Sequence, residues 1–109
     1  VLGLELFSQQ PGRHAFFRCG SGMVLLFNPH ATSQPGGMVP SHGTHGPGHL
    51  AFAIAQDEPA SWRDHLARHG VEIEKEVVWP SGGCSIYFRD PAGNSVELAT
   101  LQTWGLQES

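Results

Sequence analysis

Apolar and polar positions alternate with a period of two through most of the chain, and turn-forming residues cut the alternation into short runs. Leu4-Glu5-Leu6-Phe7, residues 13–19 and residues 23–28 read as strands, separated by Gln10-Pro11-Gly12 and Gly20-Ser21-Gly22. Together they predict an antiparallel meander. Val1-Leu2-Gly3 ahead of them reads as the last turn of a helix with its glycine stop. Residues 29–48, rich in Pro, Gly, Ser and His and without a period, read as a connection. The pattern restarts with a strand over 49–54, where Leu50, Phe52 and Ile54 share one face and His49, Ala51 and Ala53 the other. Asp57 then reads as an N-cap ahead of Glu58-Pro59, Trp62 and Leu66 stand one helical turn apart, and Gly70 closes a short amphipathic helix. Strands follow over about 71–79, 85–89 and 95–100, with Ser81-Gly82-Gly83 and Asp90-Pro91-Ala92-Gly93-Asn94 as turns. The second part therefore reads βαβββ.

Aligning the two glycine stops reveals a repeat. Gly3-Leu4-Glu5-Leu6 matches Gly70-Val71-Glu72-Ile73, and Met23-Val24-Leu25-Leu26 matches Ser95-Val96-Glu97-Leu98. The first part is then the same unit without its opening strand and helix, and the repeat places the counterpart of His49 about 18 residues ahead of Val1. Such a sheet leaves one edge unpaired and apolar surface from Leu4, Leu6, Val24 and Leu26 uncovered, and both features invite another chain. A symmetric homodimer is the expected remedy.

Composition narrows the class. With 109 residues, 39% hydrophobic and 15% charged, the chain fits one folded domain and not a disordered segment. The expected division is a partial first module over 1–28, a linker over 29–48, a complete module over 49–101 and a tail over 102–109. Ten acids against six scattered bases give a net charge of −4, which argues against nucleic acid as a partner. No apolar run approaches the roughly 20 residues of a membrane span, and the first residues lack the order of a signal peptide, so a cytoplasmic protein without a membrane partner is expected. Cys19 and Cys84 read as free thiols, the alternative being a single disulfide between them.

His49 and Glu97 carry the chemistry that strand alternation suggests. Val96 and Leu98 face the helix, which turns Ser95, Glu97 and Ala99 to the opposite side, and Ser85 and Tyr87 follow on their own strand. Adjacent strands lie about 4.8 Å apart, and a histidine nitrogen and a carboxylate oxygen each reach a metal at roughly 2.0 to 2.2 Å. One ion can therefore bridge the two, although two ligands alone bind weakly. The competing role for His49 is a strand-start residue at a loop, and for Tyr87 cross-strand packing. A carboxylate in a Val-Glu-Leu-Ala run is costly to bury unpaired. His42 and His45 resemble an extra metal cluster with His49, yet the Gly-rich connection gives them no fixed geometry and they read as solvated loop residues, with His65 and His69 as a solvated helix face.

Gly48-His49-Leu50-Ala51-Phe52-Ala53-Ile54 resembles the second-module metal strand of the vicinal oxygen chelate superfamily, the glyoxalase, bleomycin-resistance and extradiol dioxygenase fold. Tyr87-Phe88-Arg89-Asp90-Pro91-Ala92-Gly93-Asn94-Ser95-Val96-Glu97-Leu98 resembles its closing hairpin. The resemblance covers essentially the whole chain. It implies an α+β architecture in which paired βαβββ modules form a cupped mixed sheet around a divalent metal, here Fe, Mn, Ni or Zn. It is specific for the fold and not for the reaction, since the superfamily hosts lyases, dioxygenases, epimerases, thiol transferases and metal-free binders.

Carried over residue by residue, the resemblance makes His49 and Glu97 metal ligands, with Glu97 and Tyr87 the catalytic pair. The first module's carboxylate position falls on Leu25, which cannot bind a metal. A third ligand would come from the missing strand, as a histidine, or from a partner chain. Two histidines and one carboxylate resemble the extradiol dioxygenase and fosfomycin-resistance arrangements more than a four-ligand glyoxalase I, and also the facial triad of non-haem iron enzymes. Ser81 and Tyr87 match positions near the site of fosfomycin-resistance transferases, but the place of their basic residue falls on Val77, which argues against a phosphonate substrate. The implied function is metal-dependent chemistry on a small molecule that chelates the ion through vicinal oxygens, with Tyr87 donating a hydrogen bond. The alternative is a metal-free sequestering protein of the bleomycin-resistance type, with Phe16, Trp79 and Trp104 as an aromatic rim around a flat ligand.

Overall fold

The computed structural model describes residues 1–32, 34, 43 and 46–106. The chain divides into two compact units, Leu2–Gly46 and Pro47–Ser109, with Val1 grouped with the latter.

The first unit is the expected meander. β1 (Glu5–Gln10), β2 (His14–Cys19) and β3 (Gly22–Phe27) pair antiparallel in sequence order, with a register shift between Leu6 and Ser8. Gly3 takes φ +72° and Gly70 φ +70°, so the two glycines that the repeat aligns share the left-handed conformation of a helix stop. Leu6, Phe7, Leu25 and Leu26 are exposed. Leu4 and Val24, expected to be uncovered with them, are half-buried. A short helix, α1 (Pro29–Thr32), occupies the start of the segment read as a bare connection. Asn28 nucleates it: its side-chain oxygen accepts the His30 N–H at 3.0 Å and its carbonyl accepts the Thr32 N–H at 3.1 Å. A single turn is too short to leave a period in the sequence.

The second unit is the βαβββ module, built from β4 (His49–Ile54), α2 (Pro59–Arg68), β5 (Ile73–Val78), β6 (Cys84–Arg89) and β7 (Ser95–Thr100). A 3-10 turn, Leu101–Trp104, follows where the sequence suggested only a tail. The sheet order is β4-β7-β6-β5, with β4 parallel to β7 and the remaining pairs antiparallel. The parallel pair is what requires the crossover through α2. The cap of α2 is a correction: Glu58, not Asp57, precedes the first turn, with Pro59 inside it. Glu58 turns its carboxylate back to accept the Ala55 N–H at 2.8 Å, which ties the helix start to the end of β4. At the other end the Gly70 N–H reaches the Ala67 carbonyl and the Val71 N–H the Leu66 carbonyl, a glycine stop that satisfies two helical carbonyls.

Ile54, Leu66, Ile86, Phe88, Val96, Leu98 and Ala99 form the buried apolar core. In register, Phe52 and Ile86 both stand beside Leu98, and Phe88 beside Val96, so these side chains share one face. Glu76 is opposite Ile86 on the same face and pairs with Arg63 of α2, which places the helix over that face. Leu66 closes it with no exposed surface. Gly83 lets the 3-10 turn lie against the β5–β6 hairpin, since a Cβ there would stand 2.1 Å from the Thr103 nitrogen. Cys19 and Cys84 are both free thiols. Among the described residues no helix is long and apolar enough to cross a membrane.

Candidate functional site

The face of the second sheet turned away from α2 carries the polar side chains. Strand register sets their places: Tyr87 is directly opposite Glu97, Ser85 opposite Ala99, and His49 opposite Ser95 on the parallel neighbour. Glu97 sits on β7, flanked by strands on both sides, and is only 6% exposed, whereas the His49 side chain at the head of β4 is 50% exposed. The imidazole reaches diagonally across the strand gap, so that His49 Nε2 stands 3.1 Å from Glu97 Oε1. The tyrosine and histidine rings are near-parallel, 27° apart with centroids 6.2 Å apart. Sequence alternation thus assigns His49, Glu97 and Tyr87 to one face, and the structure brings them together.

The other carboxylate oxygen has its own partner. Ser85 Oγ donates to Glu97 Oε2 at 2.7 Å, and the Trp79 indole N–H donates to Ser85 Oγ at 2.9 Å. A second group of bonds fixes His49 from behind. Asn94 Oδ1 accepts the Gly48 N–H at 2.7 Å, and Asp90 holds Asn94 through its side chain and backbone. Burial alone would raise the Asp90 carboxyl, but hydrogen bonds from Asn94, Ala92 and Gly93 outweigh it and hold the group below the ordinary carboxylate range. The Asp-Pro-Ala-Gly-Asn turn therefore fixes the start of β4 beside β7. The sequence marks that segment as a turn but gives no sign that it reaches residue 48.

Tyr87 is half-buried, and its phenol is pushed above its ordinary value, first by burial and then by the negative charge of Glu97. It remains a protonated donor through neutral pH. Because the chain has one tyrosine, ultraviolet absorbance of tyrosinate reports this group alone. The midpoint is expected above about 10, and Glu97→Gln should lower it part of the way while burial keeps the rest. A wild-type midpoint at or below the ordinary value would contradict this environment.

Other candidates do not join the cluster. Ser81 gives its hydroxyl to the Thr103 carbonyl at 3.2 Å. His65 packs edge-on to Trp62 and close to His69, with His65 half-buried and not fully solvated as expected. Trp104 is 55% exposed. His42 and His45 lie outside the described residues. Among the described residues no group of three His, Cys, Asp or Glu side chains converges on one point. The pair itself suits a cation: two donors about 2.1 Å from one ion at near-right angles stand roughly 3.0 Å apart, close to the observed 3.1 Å. His49 and Glu97 thus fit two positions of a metal's coordination sphere.

Residues 1–98 match the model of the glyoxalase/bleomycin resistance protein/dioxygenase superfamily. The chain belongs to that superfamily. A lactoylglutathione lyase from Agrobacterium tumefaciens superposes with a TM-score of 0.90 at 38% identity, covering 95% of this chain and 80% of the other. A glyoxalase/bleomycin resistance protein/dioxygenase from Nocardioides shares the fold, with a TM-score of 0.69 at 22% identity over 99% of this chain and 74% of its own. A glyoxalase domain-containing protein of Mycosarcoma maydis, RDO1, is 31% identical over 105 residues, 93% of this chain. This chain spans 57% of that relative's length. The glyoxalase βαβββ unit read from the sequence is the one the second unit adopts.

Proposed function

We propose that the protein is a divalent-metal-dependent enzyme acting on a small molecule that binds the ion through vicinal oxygens. The observation carrying this reading is the convergence of His49 Nε2 and Glu97 Oε1 on one face of the sheet, at a separation suited to a shared cation. Similarity to a lactoylglutathione lyase supports a lyase among the reactions of the superfamily. A divalent ion held there supplies Lewis-acid polarisation of a substrate oxygen, and Fe, Mn, Ni and Zn all suit nitrogen and oxygen donors. His49 Nε2 would hold the ion through its lone pair, in place of its hydrogen bond to Glu97 Oε1. Tyr87, protonated and beside the pair, donates to developing negative charge on the substrate. A third protein donor would come from a partner chain, across a cytoplasmic homodimer that would also cover Leu6, Phe7, Leu25 and Leu26.

The test compares wild type with His49→Ala after dialysis against the metal. Metal affinity should fall by at least about tenfold while the circular dichroism spectrum is unchanged, because an exposed imidazole contributes little packing. A variant that unfolds yet keeps its metal stoichiometry would assign His49 a structural role instead. A second reading, a metal-free binder, is favoured by the direct bond between His49 and Glu97, which satisfies both groups without a cation. It predicts tight binding of a flat ligand to chelator-treated protein.

A further inference from the structure

Trp79, Ser85 and Glu97 form a hydrogen-bond chain with only one possible direction. An indole N–H can donate but not accept, and a serine hydroxyl has a single proton. With the Trp79 Nε1–H directed at Ser85 Oγ from 2.9 Å, Ser85 must accept there, and its own proton goes to Glu97 Oε2 at 2.7 Å. That second bond is charge-assisted and of normal length for a hydroxyl on a carboxylate. Ser85 is fully buried on β6 and Glu97 nearly so on β7, with the Tyr87 side chain beside both. The two carboxylate oxygens are thereby made unequal. Oε2 is engaged with the protein interior, and Oε1 is turned toward the half-exposed His49.

We propose that Trp79 and Ser85 are positioning residues that hold Glu97 in one orientation and leave Oε1 as its metal-binding oxygen. The role rests on the metal-dependent reading above, and it concerns how the ligand is presented, not which residue it is. Trp79 acts only through Ser85: without the indole N–H, the serine hydroxyl gains a free lone pair and a choice of rotamers, and its hold on Oε2 weakens. Removing Ser85 removes the whole chain, after which the Trp79 N–H has nothing to transmit.

The test is isothermal titration of the chelator-stripped full chain with Ni²⁺, using Trp79→Phe, Ser85→Ala and the double variant, with thermal melting of each. Ser85→Ala is expected to weaken binding by about 10- to 100-fold, the usual effect of losing an outer partner of a metal ligand. Trp79→Phe, which keeps the aromatic ring, is expected to weaken it by about fivefold, the worth of one hydrogen bond. In the Ser85→Ala background the Trp79 substitution should have no further effect. If both single variants bind Ni²⁺ as wild type does, or if the two losses multiply in the double variant, the relay is overturned while the metal site stands. Should wild type itself fail to bind Ni²⁺, the metal-dependent reading falls and this role with it. If Ser85→Ala does not fold, the half-buried Trp79→Phe carries the test alone, and unchanged affinity there overturns the proposal.

Discussion

Glu97→Gln is expected to abolish tight metal binding, raising Kd by more than about 100-fold, beyond the loss typical of outer partners. The substitution keeps the size and shape of the side chain and removes its charge. The surrounding bonds make the effect specific. Ser85 can still donate to an amide oxygen, and Tyr87 still stands directly opposite. The fold should survive, because the carboxylate's burial is a cost that these partners offset, and a neutral amide carries less of that cost. Titration of chelator-stripped protein checks it. Unchanged affinity in a folded variant would make Glu97 a structural carboxylate.

Leu66→Ala is expected to give the largest loss of stability. Leu66 has no exposed surface and closes the apolar face of the second sheet. Truncating a fully buried leucine typically costs about 2 to 5 kcal/mol through lost burial and the cavity left behind. Small domains hold only about 5 to 15 kcal/mol in total, so the melting temperature should fall by roughly 10 °C or more. The helix lies on the face opposite His49 and Glu97. Metal affinity measured well below the new melting temperature should therefore stay near wild type. A loss under about 1 kcal/mol, measured by urea unfolding, would mean that α2 is not what seals this core.

These two residues also mark how far the sequence could be read. Leu66 is legible because it stands one turn from Trp62 and before a glycine stop, and the helix it predicts covers the face on which Val96 and Leu98 were expected. Glu97 is legible because strict alternation over 95–100 leaves it on the opposite side, and the observed strand has those bounds. Alternation assigns a face but not a register. That His49 meets Glu97 depends on β4 lying parallel to β7 with Ala51, not His49, directly beside the carboxylate. The Trp79 to Ser85 bond was out of reach for a related reason: it spans the β5–β6 hairpin, and sequence marks such a turn without fixing the reach of an indole across it. Asp57 reads as the cap because Asp is a preferred capping residue, whereas Glu58 takes that place and reaches back to Ala55, a position without the Ser or Thr that would mark a capping box.

Elemental analysis of protein purified without chelator, followed by titration of the stripped protein, tests the central claim most directly. The account predicts close to one equivalent of a divalent transition metal per site, lost in Glu97→Gln and regained by stripped wild type on titration. Protein that carries no such metal, does not take it up, and binds a flat ligand equally well with chelator present would contradict it.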